Sequence, residues 1–333
     1  MRIGKPLTNL LLGLCAGLTA CGVPAGDFEH NPETQAFITE MVERHQFDRN
    51  QLEALFADAR KRDDILKAIA RPAESKPWYE YRPIFMTQSR IDGGVDFWRA
   101  HSAILKKAEQ AYGVDAAMIV AIIGVETRYG ANTGSYRVID ALSTLAFEYP
   151  PRAKFFRSEL EHFLILAREE NLDLREAKGS YAGAMGYGQF IPSSYRSYAV
   201  DFDADGSRDL WVSLEDIIGS VANYFQRHGW KLGEPVASRV SGKASIPDSL
   251  VSSSLKPSKT VADFARAGIS GNPKLPDDQR VALLELEQRN GPEYWLTTDN
   301  FYTITRYNRS PLYAMAVFQL SEAIRNAYQN RED

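Results

Sequence analysis

Much of the chain repeats apolar residues every three to four positions, the spacing that places them on one face of a helix. Residues 33–70 and 97–112 follow this spacing and predict amphipathic helices. Residues 116–129 are apolar on nearly every side, which predicts a buried helix that Asp115 caps and Gly130 ends. The same spacing returns in four later segments, at residues 153–170, 193–198, 213–228 and 311–327.

The pattern changes between residues 230 and 290, where short apolar runs lie among serine, glycine, proline and lysine. Runs of this length, such as 236–240 and 281–286, are typical of strands separated by turns. We therefore expect a small β-containing insertion before the chain returns at residues 291–310. The whole pattern predicts an α+β fold that is predominantly α-helical.

Residues 1–20 are typical of a secretory leader. Two basic residues precede an apolar stretch at residues 10–20, which is shorter than the about 20 residues that a transmembrane helix needs. The stretch ends in Leu-Thr-Ala-Cys21, which resembles the bacterial lipobox and predicts that Cys21 becomes a lipidated N-terminus. An ordinary signal peptide in which Cys21 is incidental is the alternative. Residues 21–32 would then form a tether.

A lipidated Cys21 predicts a periplasmic protein attached to a membrane. Gly22 stands where an aspartate would favour retention at the inner membrane, so we expect the inner leaflet of the outer membrane. Cys15 would leave with the leader, and Cys21 would be the only cysteine of the mature chain. This excludes an intramolecular disulfide and thiol catalysis in the globular part.

The composition is that of an ordinary globular protein. Of its 333 residues, 44% are hydrophobic and 25% are charged, and 39 basic against 43 acidic residues give a net charge of −4. The sequence has no evident basic patch, so nucleic acid is not an expected partner. It also has no G-x-S-x-G motif and no triad or zinc spacing among its histidines, which argues against a serine hydrolase or a zinc enzyme.

Glu126 follows directly after the most apolar part of the buried helix. Partial desolvation and the negative end of the helix dipole would both raise the pKa of this carboxyl. A raised pKa is what a general acid needs at neutral pH. Arg128 would oppose the shift if it formed an ion pair with Glu126, and a solvated glutamate at a helix end is the alternative interpretation.

Residues 180–195 form a glycine-rich segment that carries Gly183, Gly186 and Gly188 before Gln189. Glycines let a backbone approach a ligand closely, and a glutamine side chain both donates and accepts. The segment lacks the G-K-[ST] ending and the G-x-G-x-x-G motif of nucleotide sites. Carbohydrate suits it better, because sugar rings stack on aromatic rings, which Tyr181 or Tyr187 would supply.

An acidic loop follows, with aspartates at positions 1, 3, 5 and 9 and glycine at position 6, as in the first part of an EF-hand. Val212 stands at position 12 in place of glutamate, and Glu215 and Asp216 are the candidates to replace it. Oxygen ligands favour Ca²⁺ over Zn²⁺, and a structural role is expected. A solvated acidic turn is the alternative. The predicted ligand set is Asp201, Asp203, Asp205, Ser207 and Asp209.

Four segments together resemble the membrane-bound lytic murein transglycosylase B family, over the chain from about residue 31 to its end. They are residues 124–130, 180–194, 201–211 and 306–308. The resemblance implies a lysozyme-like core at residues 106–229 and 291–310, which contains the calcium loop. It also implies a helical domain at residues 33–105, joined by a C-terminal helix at 311–329, and a small β domain at 230–290.

The resemblance implies Glu126 as the catalytic acid and base, with Ca²⁺ and no organic cofactor. Family members cut the β-1,4 bond between N-acetylmuramic acid and N-acetylglucosamine and leave a 1,6-anhydro ring. One carboxylate suffices if the sugar's N-acetyl group assists. Expected partners are glycan strands, the membrane through Cys21, and cell-wall synthesis proteins. The implied sugar contacts are Ser180, Gln189, Tyr224, Tyr307 and Asn308.

Two rival functions stay open at this point. A hydrolysing muramidase would need a second carboxylate, for which Asp140 and Glu148 are the candidates. A non-catalytic, calcium-stabilised glycan-binding lipoprotein would share the groove but would not cleave the strand.

Overall fold

The computed structural model describes residues 26–70, 76–241, 246–252 and 254–330. The predicted leader, Cys21 and the first part of the predicted tether lie outside these residues. The described chain is mainly helical, as the sequence predicts. Its helices are α1 Pro32–His45, α2 Arg49–Asp58, α3 Asp63–Ile69, α4 Trp78–Phe85, α5 Gln88–Ala100, α6 Ser102–Tyr112, α7 Ala116–Thr127, α8 Val138–Glu148, α9 Ala153–Glu169, α10 Pro192–Tyr198, α11 Leu214–Arg227, α12 Val261–Arg266, α13 Asp299–Tyr307 and α14 Pro311–Gln329.

The strands form two antiparallel sheets. They are β1 Tyr136–Arg137, β2 Lys178–Gly179, β3 Ala237–Ser241, β4 Lys259–Thr260, β5 Ser270–Asn272, β6 Arg280–Gln288 and β7 Gly291–Thr297. β1 pairs with β2, and the other five strands lie in the order β4-β6-β7-β3-β5. β6 and β7 form a hairpin that closes at Gln288 and Gly291.

The five-stranded sheet extends beyond the boundary that the sequence suggested. We expected the β-containing insertion to end at residue 290, but β7 pairs with β6 and β3 as far as Thr297. The sheet also has a small apolar core of its own, which includes Phe264, Leu283 and Leu296. The alternation of β7 is short, and only its pairing partners identify it as part of this sheet.

Helix α7 lies at the centre of the larger hydrophobic core, in contact with α5, α6, α11 and α14. It is surrounded because it presents apolar side chains in every direction. The helix ends two residues before the predicted position, since Arg128, Tyr129 and Gly130 have φ values of 51°, 60° and 88°. Asp115 is the N-cap residue but its side chain does not cap, and Glu109 Oε2 instead accepts from the Ala116 amide at 3.0 Å.

Two predicted helices are divided in the structure. Residues 33–70 form α1, α2 and α3, because Gln46 adopts φ 58° after α1 and Asp48 caps α2 by accepting from the Gln51 amide at 2.9 Å. Residues 97–112 are divided at His101 between α5 and α6. Consecutive amphipathic helices repeat one apolar spacing, so periodicity alone does not locate the break between them.

The predicted tether is wrong for the residues that the structure describes. Phe28 is fully buried, and its ring centroid lies 5.8 Å from that of Phe147. Asn31 is the N-cap of α1 and accepts from the Glu33 amide at 2.8 Å. The chain has therefore joined the fold by residue 28.

Within the described ranges, no single helix is long and apolar enough to cross a bilayer. By length and composition alone, Ser102–Tyr112 and Ala116–Thr127 would pass as a pair, and the two helices are bent by 113°.

Candidate active site

Glu126 lies half-buried in the last turn of α7, and a tyrosine from the far end of the chain holds its side chain. Tyr313 donates its hydroxyl to Glu126 Oε1 at 2.5 Å. Tyr313 stands in the first turn of α14, where Pro311 begins the helix and Ser310 caps it by accepting from the Tyr313 amide at 3.3 Å. Sequence reasoning missed Tyr313, whose position follows from the helix start and from the packing of α14 on α7.

The two tyrosines near Glu126 stay protonated at neutral pH. Burial raises the pKa of Tyr313 and of Tyr307 well above the ordinary value, and the charge of Glu126 adds to the effect. Both hydroxyls are therefore hydrogen-bond donors, and a donor close to Glu126 favours its anion. Arg128, which we considered as a partner for Glu126, has an exposed side chain beyond the end of the helix.

The end of α7 is interlocked with the glycine-rich segment. Thr127 donates its hydroxyl to the carbonyl of Tyr187 at 3.0 Å. A Cβ at Gly130 would lie 2.0 Å from Cζ of Tyr187, so only glycine leaves room for that ring. Because of these contacts, the two motifs that the sequence singled out form one structural unit beside Glu126.

The glycine-rich segment folds back on itself through side-chain contacts to the backbone. Ser180 Oγ accepts from the amides of Ala182 and Ala184 at 3.3 and 3.1 Å. Gln189 has φ 51°, and its Nε2 donates to the carbonyls of Thr133 and Gly186 at 3.1 and 2.9 Å. The fold itself therefore fixes both predicted sugar-contact side chains.

A cavity of about 560 Å³ gathers most of the predicted sugar contacts. Tyr307 donates to the Gly188 carbonyl at 2.5 Å, and Tyr224 donates to the Arg306 carbonyl at 2.6 Å. The structure thus brings α11 and α13 together with the glycine-rich segment. Glu126 and Ser180 lie outside the lining of this cavity. The predicted residues in its lining are Gln189, Tyr224, Tyr307 and Asn308.

His228 supports the cavity from behind. It is the C-cap residue of α11, and its Nδ1 donates to the Tyr224 carbonyl at 2.7 Å. The imidazole also stacks on the Tyr224 ring with centroids 4.1 Å apart. Burial lowers the pKa of His228, so the ring is neutral at pH 7 and packs as an aromatic group.

The acidic loop brings three carboxylates together. One oxygen from each of Asp201, Asp203 and Asp205 lies within 4.8 Å of the other two. Asp209 instead accepts from the amides of Trp211 and Val212 at 2.8 and 3.0 Å. A cluster of exposed carboxylate oxygens fits a hard cation such as Ca²⁺.

Asp216, one candidate for position 12 of the loop, binds backbone amides of the loop. It is fully buried and accepts from the Phe202 amide at 2.6 Å and from the Asp209 amide at 2.8 Å. Its side chain therefore fastens both ends of the acidic loop to α11.

A larger cavity of about 780 Å³ lies between α4, the five-stranded sheet and α14. Glu322 lines it and stands nine residues after Tyr313, about two and a half helical turns. The cavity therefore faces the opposite side of α14 from Glu126. It does not belong to the site built around the catalytic candidate.

A glutamate at the end of a buried helix, beside a cleft lined with aromatic, amide and arginine side chains, is the arrangement expected of a lysozyme-like enzyme that cuts peptidoglycan. The family described as transglycosylase SLT domain matches residues 29–322. The chain therefore belongs to the SLT transglycosylase family.

Relatives of known structure and sequence support this family assignment. The chain is 46% identical over 310 residues to membrane-bound lytic murein transglycosylase B of Escherichia coli (strain K12). The aligned region covers 90% of this chain and 84% of that protein. It resembles soluble lytic transglycosylase SltB1 from Pseudomonas aeruginosa, with 51% identity, a TM-score of 0.83, and 89% and 99% of the two chains covered.

It also resembles Escherichia coli lytic transglycosylase Slt35 in complex with calcium, with 46% identity, a TM-score of 0.84, and 91% and 96% of the two chains covered. These findings confirm the predicted lysozyme-like fold and the predicted class of enzyme. The protein is a lytic transglycosylase that acts on peptidoglycan.

Proposed function

We propose that this enzyme cleaves the β-1,4 bond between N-acetylmuramic acid and N-acetylglucosamine and leaves a 1,6-anhydromuramic acid end. Glu126 serves as both acid and base. The contact between Tyr313 and Glu126 carries this proposal, because it orients one carboxylate at the end of a buried helix beside the cleft.

The reaction needs two proton transfers, both at Glu126. Glu126 protonates the glycosidic oxygen, and the electron pair of the C1–O bond leaves with that oxygen. The carbonyl of the 2-acetamido group stabilises the positive charge at C1, as in the substrate-assisted glycosidases. The Glu126 carboxylate then takes the proton of the 6-hydroxyl while O6 bonds to C1. The donor on Tyr313 stabilises the anion that exists between the two steps.

Sugar rings would occupy the cleft beside the glycine-rich segment. Tyr224 and Tyr307 use their hydroxyls within the fold. Tyr307 is partly exposed and would offer ring surface to the strand, whereas Tyr224 is buried against His228 and would shape the cleft from behind. Gln189 and Asn308 offer neutral amides, and Ser180 presents a hydroxyl in the same segment.

The contacts of the two rival carboxylates favour this chemistry over hydrolysis. Asp140 is buried and bonds to Arg137 at 2.7 Å, and Glu148 bonds to Lys61 at 2.6 Å. Both groups are engaged in ion pairs on α8. An inverting or retaining hydrolase would need one of them at the sugar.

Mass spectrometry of digested sacculi tests the proposal. The parent enzyme should release ends that are one water lighter than hydrolysed ends. Glu126→Gln should abolish turnover while glycan binding persists, and Glu148→Gln should leave turnover unchanged. Hydrolysed ends would favour the muramidase, and a parent protein that binds strands without cutting them would favour the glycan-binding lipoprotein.

We infer that the acidic loop binds Ca²⁺, and the calcium complex of the relative Slt35 supports this inference. Three neighbouring carboxylates repel one another, so a cation among them would stabilise the loop. Asp201, Asp203 and Asp205 would supply ligands directly. Ser207 and Asp209 stay part of the proposed set, although the side chain of Asp209 bonds to amides of its own loop.

Titration calorimetry with Ca²⁺ tests this inference. The parent protein should bind and Asp203→Ala should not, whereas Asp277→Ala, an exposed aspartate far along the sequence, should bind like the parent. Excess Ca²⁺ should also raise the midpoint of thermal unfolding of the parent but not of Asp203→Ala. The absence of binding by the parent would contradict the inference.

We propose that Cys21 carries the lipid anchor and that the enzyme works in the periplasm at the inner leaflet of the outer membrane. The Escherichia coli relative is named as membrane-bound, which supports a membrane location. Cys21→Ser should move the enzyme into the soluble fraction of a cell lysate. Cell-wall synthesis proteins are the proposed partners there. A variant that stays with the membrane would contradict the anchor.

A further inference from the structure

Arg90 is a buried arginine directly behind the end of α7, the helix that carries Glu126. Its residue exposure is 7%, and it lies in the first turn of α5. Its Nη1 donates to the carbonyl of Gly124 and, at 3.4 Å, to the carbonyl of Val125. The Val125 carbonyl belongs to the peptide bond that leads into Glu126. A positive charge therefore lies one peptide unit from the residue that moves the proton.

The surroundings show that the fold holds this guanidinium in place. It lies over the Phe85 ring, 5.3 Å from the centroid, and its Nε is buried without a hydrogen-bond partner among the described residues. Tyr129 donates its hydroxyl to the carbonyl of Arg90 at 2.7 Å. Burying a charge with an unsatisfied donor costs free energy, and an apolar side chain would fill this space without that cost.

The space for this arrangement comes from glycines. A Cβ at Gly124 would lie 2.5 Å from the hydroxyl of Tyr129, and a Cβ at Gly94 would lie 2.7 Å from it. The Tyr129 ring thus fits between α5 and α7 and connects the Arg90 backbone to the turn after Glu126. Glu126 and Arg90 are held in one rigid unit.

The guanidinium also acts on the partial charges at the end of α7. The last carbonyls of a helix carry a partial negative charge that disfavours a carboxylate. Arg90 donates to two of these carbonyls and so offsets this charge. Burial lowers the pKa of Arg90 and the charge of Arg128 adds to the effect, yet an arginine keeps its proton in proteins.

We infer that Arg90 is a positioning residue for the proposed reaction: it fixes the last turn of α7 and adjusts the acidity of Glu126 so that the carboxyl both gives and recovers a proton. The inference rests on the proposed role of Glu126. Without Arg90, burial and the helix end would hold the proton on Glu126 too firmly for the first step.

The other described groups near Glu126 are either neutral or exposed, whereas Arg90 is charged and buried. Tyr313 on α14 and Tyr307 on α13 are neutral over the working range, because burial and Glu126 raise the pKa of each. Tyr81 on α4 influences Tyr313 in the same direction. Arg128 is exposed, so solvent and salt screen its charge.

The experiment compares two replacements that separate charge from hydrogen bonding. Arg90→Gln keeps a donor but removes the charge, and Arg90→Lys keeps the charge. Arg99→Gln, an exposed arginine on the same helix, is the matched control. The rate of anhydro product formation is measured as kcat/KM against pH on purified sacculi, with thermal unfolding followed for each variant.

We expect the alkaline limb of the profile, where Glu126 loses its proton, to move up by about one pH unit in Arg90→Gln. Arg90→Lys should restore the limb, and Arg99→Gln should match the parent. A purely structural role would lower the unfolding temperature and the rate without moving the limb. If the glutamine variant does not fold, a limb that moves upward in the lysine variant overturns the inference and an unmoved limb supports it.

The two proposals fail in different ways. If the parent enzyme makes no product that depends on Glu126, the proposed function is wrong and the inference falls with it. If the product depends on Glu126 but the folded Arg90→Gln variant has the parent's pH profile, only the role of Arg90 is wrong.

Discussion

Replacing Tyr313 with phenylalanine removes the hydroxyl that bonds to Glu126 and leaves the buried ring in place. A hydrogen bond to a charged group contributes about 1.5–3 kcal/mol. The bond is strongest when Glu126 is ionised, which in the proposed reaction is the state between the two proton transfers. A loss of about 2 kcal/mol at that stage corresponds to a roughly 30-fold lower kcat.

The pH profile gives a second expectation with a definite sign. A donor favours the anion of Glu126, so its loss raises the pKa of Glu126 and moves the alkaline limb of kcat/KM upward. Tyr307→Phe is the matched control, because it removes a hydroxyl that bonds to the Gly188 carbonyl instead. This control should change KM more than kcat, since it loosens the cleft lining without touching the carboxyl.

The assay is the initial rate of anhydro product release by mass spectrometry over a range of pH, with circular dichroism confirming that each variant is folded. A folded Tyr313→Phe enzyme with the parent's kcat and pH profile would refute the reasoning. Equal losses in both variants would show that the tyrosines act through packing alone.

Three stability predictions concern the scaffold. The Arg196 guanidinium holds the pKa of Glu169 below its usual value of 4.5, so Glu169→Gln should lower the unfolding temperature at pH 7. The difference in unfolding temperature between parent and variant should vanish as the pH falls below 4.5, because Glu169 then becomes protonated. A difference that stays constant with pH would contradict the ion pair. Gly124→Ala should cost about 1–3 kcal/mol in urea unfolding, because the added methyl meets Tyr129; no cost would show that the ring can move. Phe28→Ala should cost about 3–5 kcal/mol, whereas a tether residue would cost nothing.

The parts of the site that could be predicted are those that local sequence determines. The apolar run of α7 specifies a buried helix and therefore where Glu126 ends up. The three glycines before Gln189 specify a tight turn, and two of them, Gly183 and Gly186, have positive φ. In both places the backbone conformation, a helix or a tight turn, is determined by residues that are neighbours in the sequence.

The missing parts depend on contacts between distant segments. Tyr313 reaches Glu126 across 187 positions of the sequence, and nothing near either residue indicates the pair. Arg90 lies on the same face of α5 as the buried Gly94 and Phe97, where an apolar residue is expected, and the end of α7 supplies carbonyl acceptors for its charge. Periodicity describes the faces of one helix and not the groups on the helix packed against it.

The way these distant segments meet bears on how one carboxylate performs two tasks. Thr127 is bonded to the carbonyl of Tyr187, and Tyr307 is bonded to the carbonyl of Gly188, so three segments meet through backbone atoms whose positions the fold fixes. A site held this way orients its groups before the substrate arrives. Such preorganised groups are the main source of electrostatic catalysis. With Oε1 of Glu126 bonded to Tyr313, the proposed reaction has Oε2 give its proton to the leaving oxygen and take another proton from the 6-hydroxyl. A second carboxylate to activate water then has no part in the chemistry.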